Sequence, residues 1–124
     1  MPPASGPGTR PAPAPAPRFG RIADGPAAAP GGESFATLLA AGGARVERIA
    51  SLAHADPPGQ WYDQPGAEFV LLLAGAARLG FADGTERVLA PGDCAVIPAR
   101  CRHRVAWTDP AAETLWLALH LPPD

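Results

Sequence analysis

A chain of 124 residues with 17 prolines, 14 glycines and a net charge of −2 holds one domain, and part of its length will not fold. The acidic balance argues against nucleic acid or an anionic membrane as partner, since both call for a basic surface. The longest apolar run, Phe69 to Ala74, is far short of a membrane span. The two cysteines, Cys94 and Cys101, make no secreted disulfide framework, and the N-terminus has no continuous apolar stretch of the signal-peptide kind. The expected location is the cytoplasm.

Residues 1–32 are dominated by Pro, Ala and Gly, as in PPASGPGTRPAPAPAPR. Pro-Ala alternation favours solvated polyproline II, so this stretch reads as a disordered leader and 33–124 as the folded domain. Within Gly32 to Ala41, Phe35, Leu38 and Leu39 fall at i, i+3 and i+4, which predicts one short amphipathic helix ended by Gly42-Gly43. Strands follow at 45–52, 68–73, 76–81, 87–89, 94–98, 103–108 and 114–121, with turns at Asp56-Pro57-Pro58-Gly59, Asp83-Gly84, Pro91-Gly92-Asp93 and Asp109-Pro110. Short strands at this spacing describe an all-β sandwich or barrel rather than βαβ units.

The strand from Glu68 to Leu73 is apolar on both faces, with Glu68, Val70 and Leu72 on one and Phe69, Leu71 and Leu73 on the other. A strand with one wet face would alternate, so its second face needs cover. Together with the small core available to such a short domain, this predicts cover by the helix and a partner chain, hence a homodimer.

Glu68, six residues and Gly75 resemble the second half of the first motif of the cupins. The stretch PGDCAVIPARCRHRV, with Gly92, five residues, Pro98, four residues and His103, resembles their second motif. The resemblance implies a small jelly-roll β-barrel, often dimeric, with a site inside it. In that family two His and a Glu of the first motif and a His of the second bind a divalent metal. Glu68 and His103 match two of those positions. Where the histidine pair would stand, one register places Trp61 and Asp63, the other Tyr62 and Gln64, and Arg100 stands where the family usually has Gly.

The resemblance therefore implies a Mn, Fe or Zn site built from Asp63, Glu68 and His103, or, as the alternative, a metal-free binder of a small molecule. Without a metal, Glu68 pairs with an Arg such as Arg104, is held by Tyr62 or a backbone amide, or joins His103 in a hydrogen-bonded pair fit for acid–base work. Trp61 and Tyr62 are placed to stack a small ligand at the mouth or to pack its rim. Gln64 is a weak carbonyl ligand. Arg100 either clamps a carboxylate or phosphate or is solvated with Arg102 and Arg104. His120 shares a strand face with Trp116 and Ala118, His54 reads as a surface loop residue, and Cys101 as a small hydrophobe near the site.

Overall fold

The computed structural model describes residues 14–124, and the first part of the expected leader lies outside them. Its eight strands are β1 (Glu33–Ala41), β2 (Ala44–Ser51), β3 (Glu68–Ala74), β4 (Ala77–Phe81), β5 (Glu86–Leu89), β6 (Cys94–Ile97), β7 (His103–Thr108) and β8 (Thr114–His120). They form an antiparallel five-stranded sheet in the order β1-β2-β8-β3-β6 and a three-stranded sheet in the order β5-β4-β7. The described residues hold no helix, hence none long and apolar enough to cross a membrane.

The helix expected over Gly32 to Ala41 is instead strand β1, paired with β2 along its whole length. A register shift between Thr37 and Leu39 inserts one extra residue. A bulge of this kind switches the faces, so apolar residues at positions 35, 38 and 39 mimic a helical period. Gly42 and Gly43, read as the helix end, take φ of 59° and 80° and form the two-residue turn between Ala41 and Ala44, which are directly paired. Such a turn needs positive φ at both central residues, which glycine adopts without strain. No helix is therefore available to cover β3, whose Phe69, Leu71 and Leu73 are half-buried.

The core lies between the sheets. Val70 and Leu72 of β3, Ala77 and Leu79 of β4, and Trp116 and Ala118 of β8 pack together with Leu89 and Ile97. Cross-strand pairing stacks Leu72 beside Trp116 and Val70 beside Ala118, so period two carries the inward face of β3 directly onto that of β8.

Residues 14–32 carry no helix or strand, yet part of this segment is tied to the domain. The guanidinium of Arg48, which is buried, donates to the carbonyls of Ile22 at 2.7 Å, Pro26 at 2.9 Å and Ala23 at 3.2 Å. Ala28 is buried, and its N–H donates to Glu113 Oε2 at 3.0 Å.

Candidate functional site

A cavity of about 270 Å³ opens between the sheets at the end where β3 begins and β8 ends. The register builds its polar wall. In the five-stranded sheet Arg45 pairs with His120, and His120 pairs with Glu68. One step deeper, Glu47 pairs with Ala118 and Ala118 with Val70. The opposite sheet supplies His103, Val105 and Leu79, the segment leading into β3 supplies Tyr62 and Gln64, and β1 supplies Glu33 and Phe35.

Glu68 and His103 are both buried, and Glu68 Oε1 lies 3.2 Å from His103 Nε2. His103 Nδ1 lies 2.8 Å from the Cys101 carbonyl oxygen, so Nδ1 carries a hydrogen and Nε2 is the atom turned toward the acid. The contact is at ion-pair distance, and the Glu68 carboxylate is the strongest influence favouring the charged imidazole, yet with the hydrogen on Nδ1 the Nε2 atom offers Glu68 no donor. This leaves Glu68 Oε1 buried with no hydrogen-bond partner among the described residues. Burial opposes the charged imidazole, but the adjoining Glu68, the Cys101 carbonyl and the charge of Asp56 outweigh it, and the His103 pKa is raised. The other oxygen, Glu68 Oε2, stands 3.6 Å from His120 Nδ1, and His120 Nε2 stands 3.2 Å from Glu47 Oε1. Glu47 Oε2 in turn meets Arg45 Nε at 3.7 Å.

Tyr62 stacks obliquely on His103, with ring centroids 5.6 Å apart, and its backbone exchanges hydrogen bonds with that of His103. Burial, then the charges of Asp56, Glu33, Glu68 and Glu47, push its phenol up to about 12. It therefore stays protonated and can donate to a ligand.

Glu68, His103, Tyr62 and Gln64 thus meet at the cavity, and Asp63, Arg100, Trp61 and Arg104 do not join them. Asp63 and Arg100 pair with each other, Oδ1 to Nη1 at 3.4 Å, with both side chains largely exposed and neither lining the cavity. Trp61 lines a separate small depression with Asp56, Gln60 and Tyr62. Arg100 has φ of 62°, the conformation that favours Gly, which is the family's usual residue there. Arg104 donates to the Asp56 carbonyl at 2.9 Å rather than to Glu68.

Glu33, Glu47 and His120 complete the wall. Their signal was period two: Glu47 shares a face with Ile49, and His120 with Trp116, but only strand pairing shows that these faces coincide.

His54 is not a surface loop residue. It is half-buried, with Nε2 at 2.9 Å from Asp56 Oδ1 and 3.2 Å from Glu33 Oε1. Burial raises the Glu33 pKa against the lowering effects of Ser51 and His54.

The cupin-domain family model matches residues 51–120. The chain belongs to the cupin family. A solved structure from Ralstonia eutropha JMP134, provisionally named a mannose-6-phosphate isomerase, is 46% identical, with a TM-score of 0.79 over 86% of this chain and 99% of that one. A cupin superfamily protein from Desulfitobacterium hafniense is 19% identical, with a TM-score of 0.65 over 77% of this chain and 82% of that one. A DMSP lyase from Ruegeria pomeroyi is 20% identical, with a TM-score of 0.60 over 72% of this chain and 46% of that one. The last two share the fold alone. No curated protein sequence matches the chain.

The cupin metal site can be tested against these side chains. The orphaned Glu68 Oε1 and His103 Nε2 offer two donors to one point. Asp63 is turned to Arg100, and His120 faces the other Glu68 oxygen and Glu47. A catalytic metal site takes about three protein donors, and the described residues do not bring a third to Glu68 Oε1. Among the described residues, the three-residue group whose donor atoms all approach one another is Glu33, His54 and Asp56.

Proposed function

We propose that this cupin binds a small, uncharged, hydroxyl-bearing molecule in the cavity without a metal at Glu68 and His103, and that this pair holds and moves a proton at a ligand hydroxyl. The observation that carries this reading is the buried, unpartnered Glu68 Oε1 facing the cavity. A buried acceptor without a donor is costly, by roughly 1–3 kcal/mol, and a ligand O–H supplies the donor. His103, at 3.2 Å, is placed to exchange the same proton, while the Tyr62 phenol donates from the rim.

Charge selects among ligands. Glu33, Glu47 and Glu68 all line the cavity, and the one lining Arg, Arg45, is engaged by Glu47. An anionic group inside would meet like charge. The name of the 46% identical relative points to a sugar phosphate. A sugar's hydroxyls suit this wall, but a phosphate would have to remain outside, near Arg45.

Calorimetric titration with mannose, fructose and mannose 6-phosphate tests the reading. We expect the neutral sugars to bind and Glu68→Ala to weaken them at least ~10-fold. Binding of the phosphate ester alone, or indifference to Glu68→Ala, would sink it.

We propose in addition that two copies associate along β1. That strand is the edge of its sheet and exposes Phe35, Leu38 and Leu39. A long apolar edge offers unpaired backbone groups to a second strand.

A further inference from the structure

We propose a second ligand site in this protein, a divalent cation site for Zn²⁺ formed by Glu33 at the start of β1 and by His54 and Asp56 in the loop between β2 and β3. Glu33 Oε1 and Asp56 Oδ1 converge on His54 Nε2, at 3.2 Å and 2.9 Å. Donor atoms bound to one Zn²⁺ at about 2.1 Å lie roughly 3.0–3.4 Å apart, so the 3.2 Å separation matches an edge of a coordination polyhedron and the 2.9 Å one needs only a slight opening. Two carboxylate oxygens and one imidazole nitrogen form a donor set suited to Zn²⁺ and, second, to Mn²⁺.

The outward atoms of the three side chains are already held, which leaves the inward atoms for the ion. Glu33 Oε2 accepts from Ser51 Oγ at 2.6 Å, and Ser51 Oγ accepts from Trp116 Nε1 at 3.1 Å. Asp56 Oδ2 accepts from the Val105 N–H at 2.8 Å. His54 Nδ1 faces the Gly31 carbonyl at 3.5 Å. A carbonyl beyond Nδ1 favours a hydrogen on that nitrogen and frees Nε2 as a metal donor, the supporting arrangement that imidazole ligands ordinarily have.

Charge balance supplies the independent reason. The Glu33 side chain is only 8% exposed and that of Asp56 13%, and the chain has no Lys. Among the described residues the one basic side chain at salt-bridge distance of these carboxylates is His54. Without an ion, a hydrogen on Nε2 has its geometry satisfied toward Asp56 Oδ1 and gives no hydrogen bond to Glu33 Oε1, 3.2 Å from the same nitrogen. With His54 protonated on Nδ1 instead, an ion takes the place of that hydrogen and meets both carboxylates. A divalent ion between the three atoms neutralises both acids.

The test uses the full chain, stripped with chelator and titrated calorimetrically with Zn²⁺ and separately with Mn²⁺. We expect about one equivalent of Zn²⁺, an affinity lowered at least ~10-fold by Glu33→Gln, Asp56→Asn or His54→Gln, and no such change in Glu68→Gln or His103→Gln. Absence of stoichiometric Zn²⁺, or affinity that follows Glu68 and His103 instead, overturns the proposal. Should the site variants lose their far-ultraviolet circular dichroism, the Co²⁺-loaded parent decides. Intense visible bands of a four- or five-coordinate ion support the site, and the weak spectrum of hydrated Co²⁺ rejects it. Glu33 also lines the ligand cavity, so an ion there would weaken the repulsion of anionic ligands. The role of Glu68 uses no metal and is read separately through Glu68→Ala.

Discussion

Glu68 Oε1 lies 3.2 Å from His103 Nε2 across the gap between the two sheets, and the same oxygen accepts no hydrogen bond. The acid thus holds a charge partner but keeps a lone pair free toward the cavity. This arrangement raises the His103 pKa above its ordinary 6.5. A raised pKa means that the folded state holds the proton more tightly, so the pair stabilises the fold fully below the ordinary value. That contribution is lost as pH rises through the folded-state value. We expect denaturant-measured stability to fall across the neutral range, and Glu68→Gln to flatten the fall. Imidazole titration by NMR should show a lower His103 pKa in Glu68→Gln; an unchanged value would mean that Glu68 does not hold the proton.

The buried Ser51 hydroxyl joins Trp116 Nε1 to Glu33 Oε2. Ser51→Ala leaves a buried indole N–H without an acceptor and removes a donor from a buried carboxylate. We expect a loss of about 2–3 kcal/mol in urea denaturation, with the Glu33 pKa rising further. A loss near zero would show that water takes the place of the hydroxyl.

Arg48 faces away from the cavity and donates to three carbonyls of the preceding segment. Arg48→Met keeps most of the stem packing but leaves those carbonyls without their donor. A destabilisation of about 2–4 kcal/mol is expected, together with faster tryptic cleavage after Arg21, where the chain is exposed. Unchanged cleavage would show that the segment is held by other contacts.

Leu39, exposed on edge strand β1, tests the dimer. Light scattering on the parent should give twice the 12.7 kDa chain mass, and Leu39→Glu should return it toward the monomer, since an edge charge blocks strand addition. A monomeric parent would remove the dimer from consideration.

Seven of the eight strands were legible because turn residues such as Asp83-Gly84 and Pro91-Gly92 bracket runs of β-favouring side chains. β1 was misread because a bulge between Thr37 and Leu39 breaks the two-residue period from which strands are recognised. The same blindness to pairing hid the site. Glu68 and His103 stood out by their motif spacing, whereas Asp63 fits the motif register but turns to Arg100. Glu47, His120 and Glu33 carry no motif at all.

The sequence by itself determined the all-β class, the cupin resemblance and the inward face of β3, since each depends on neighbours along the chain. Tertiary structure alone decided which charges meet: His120 between Glu47 and Glu68, and His54 between Glu33 and Asp56. Those meetings depend on strand register and on where loops return. A one-residue slip would turn each side chain to the opposite face, and nothing local in the chain records the register.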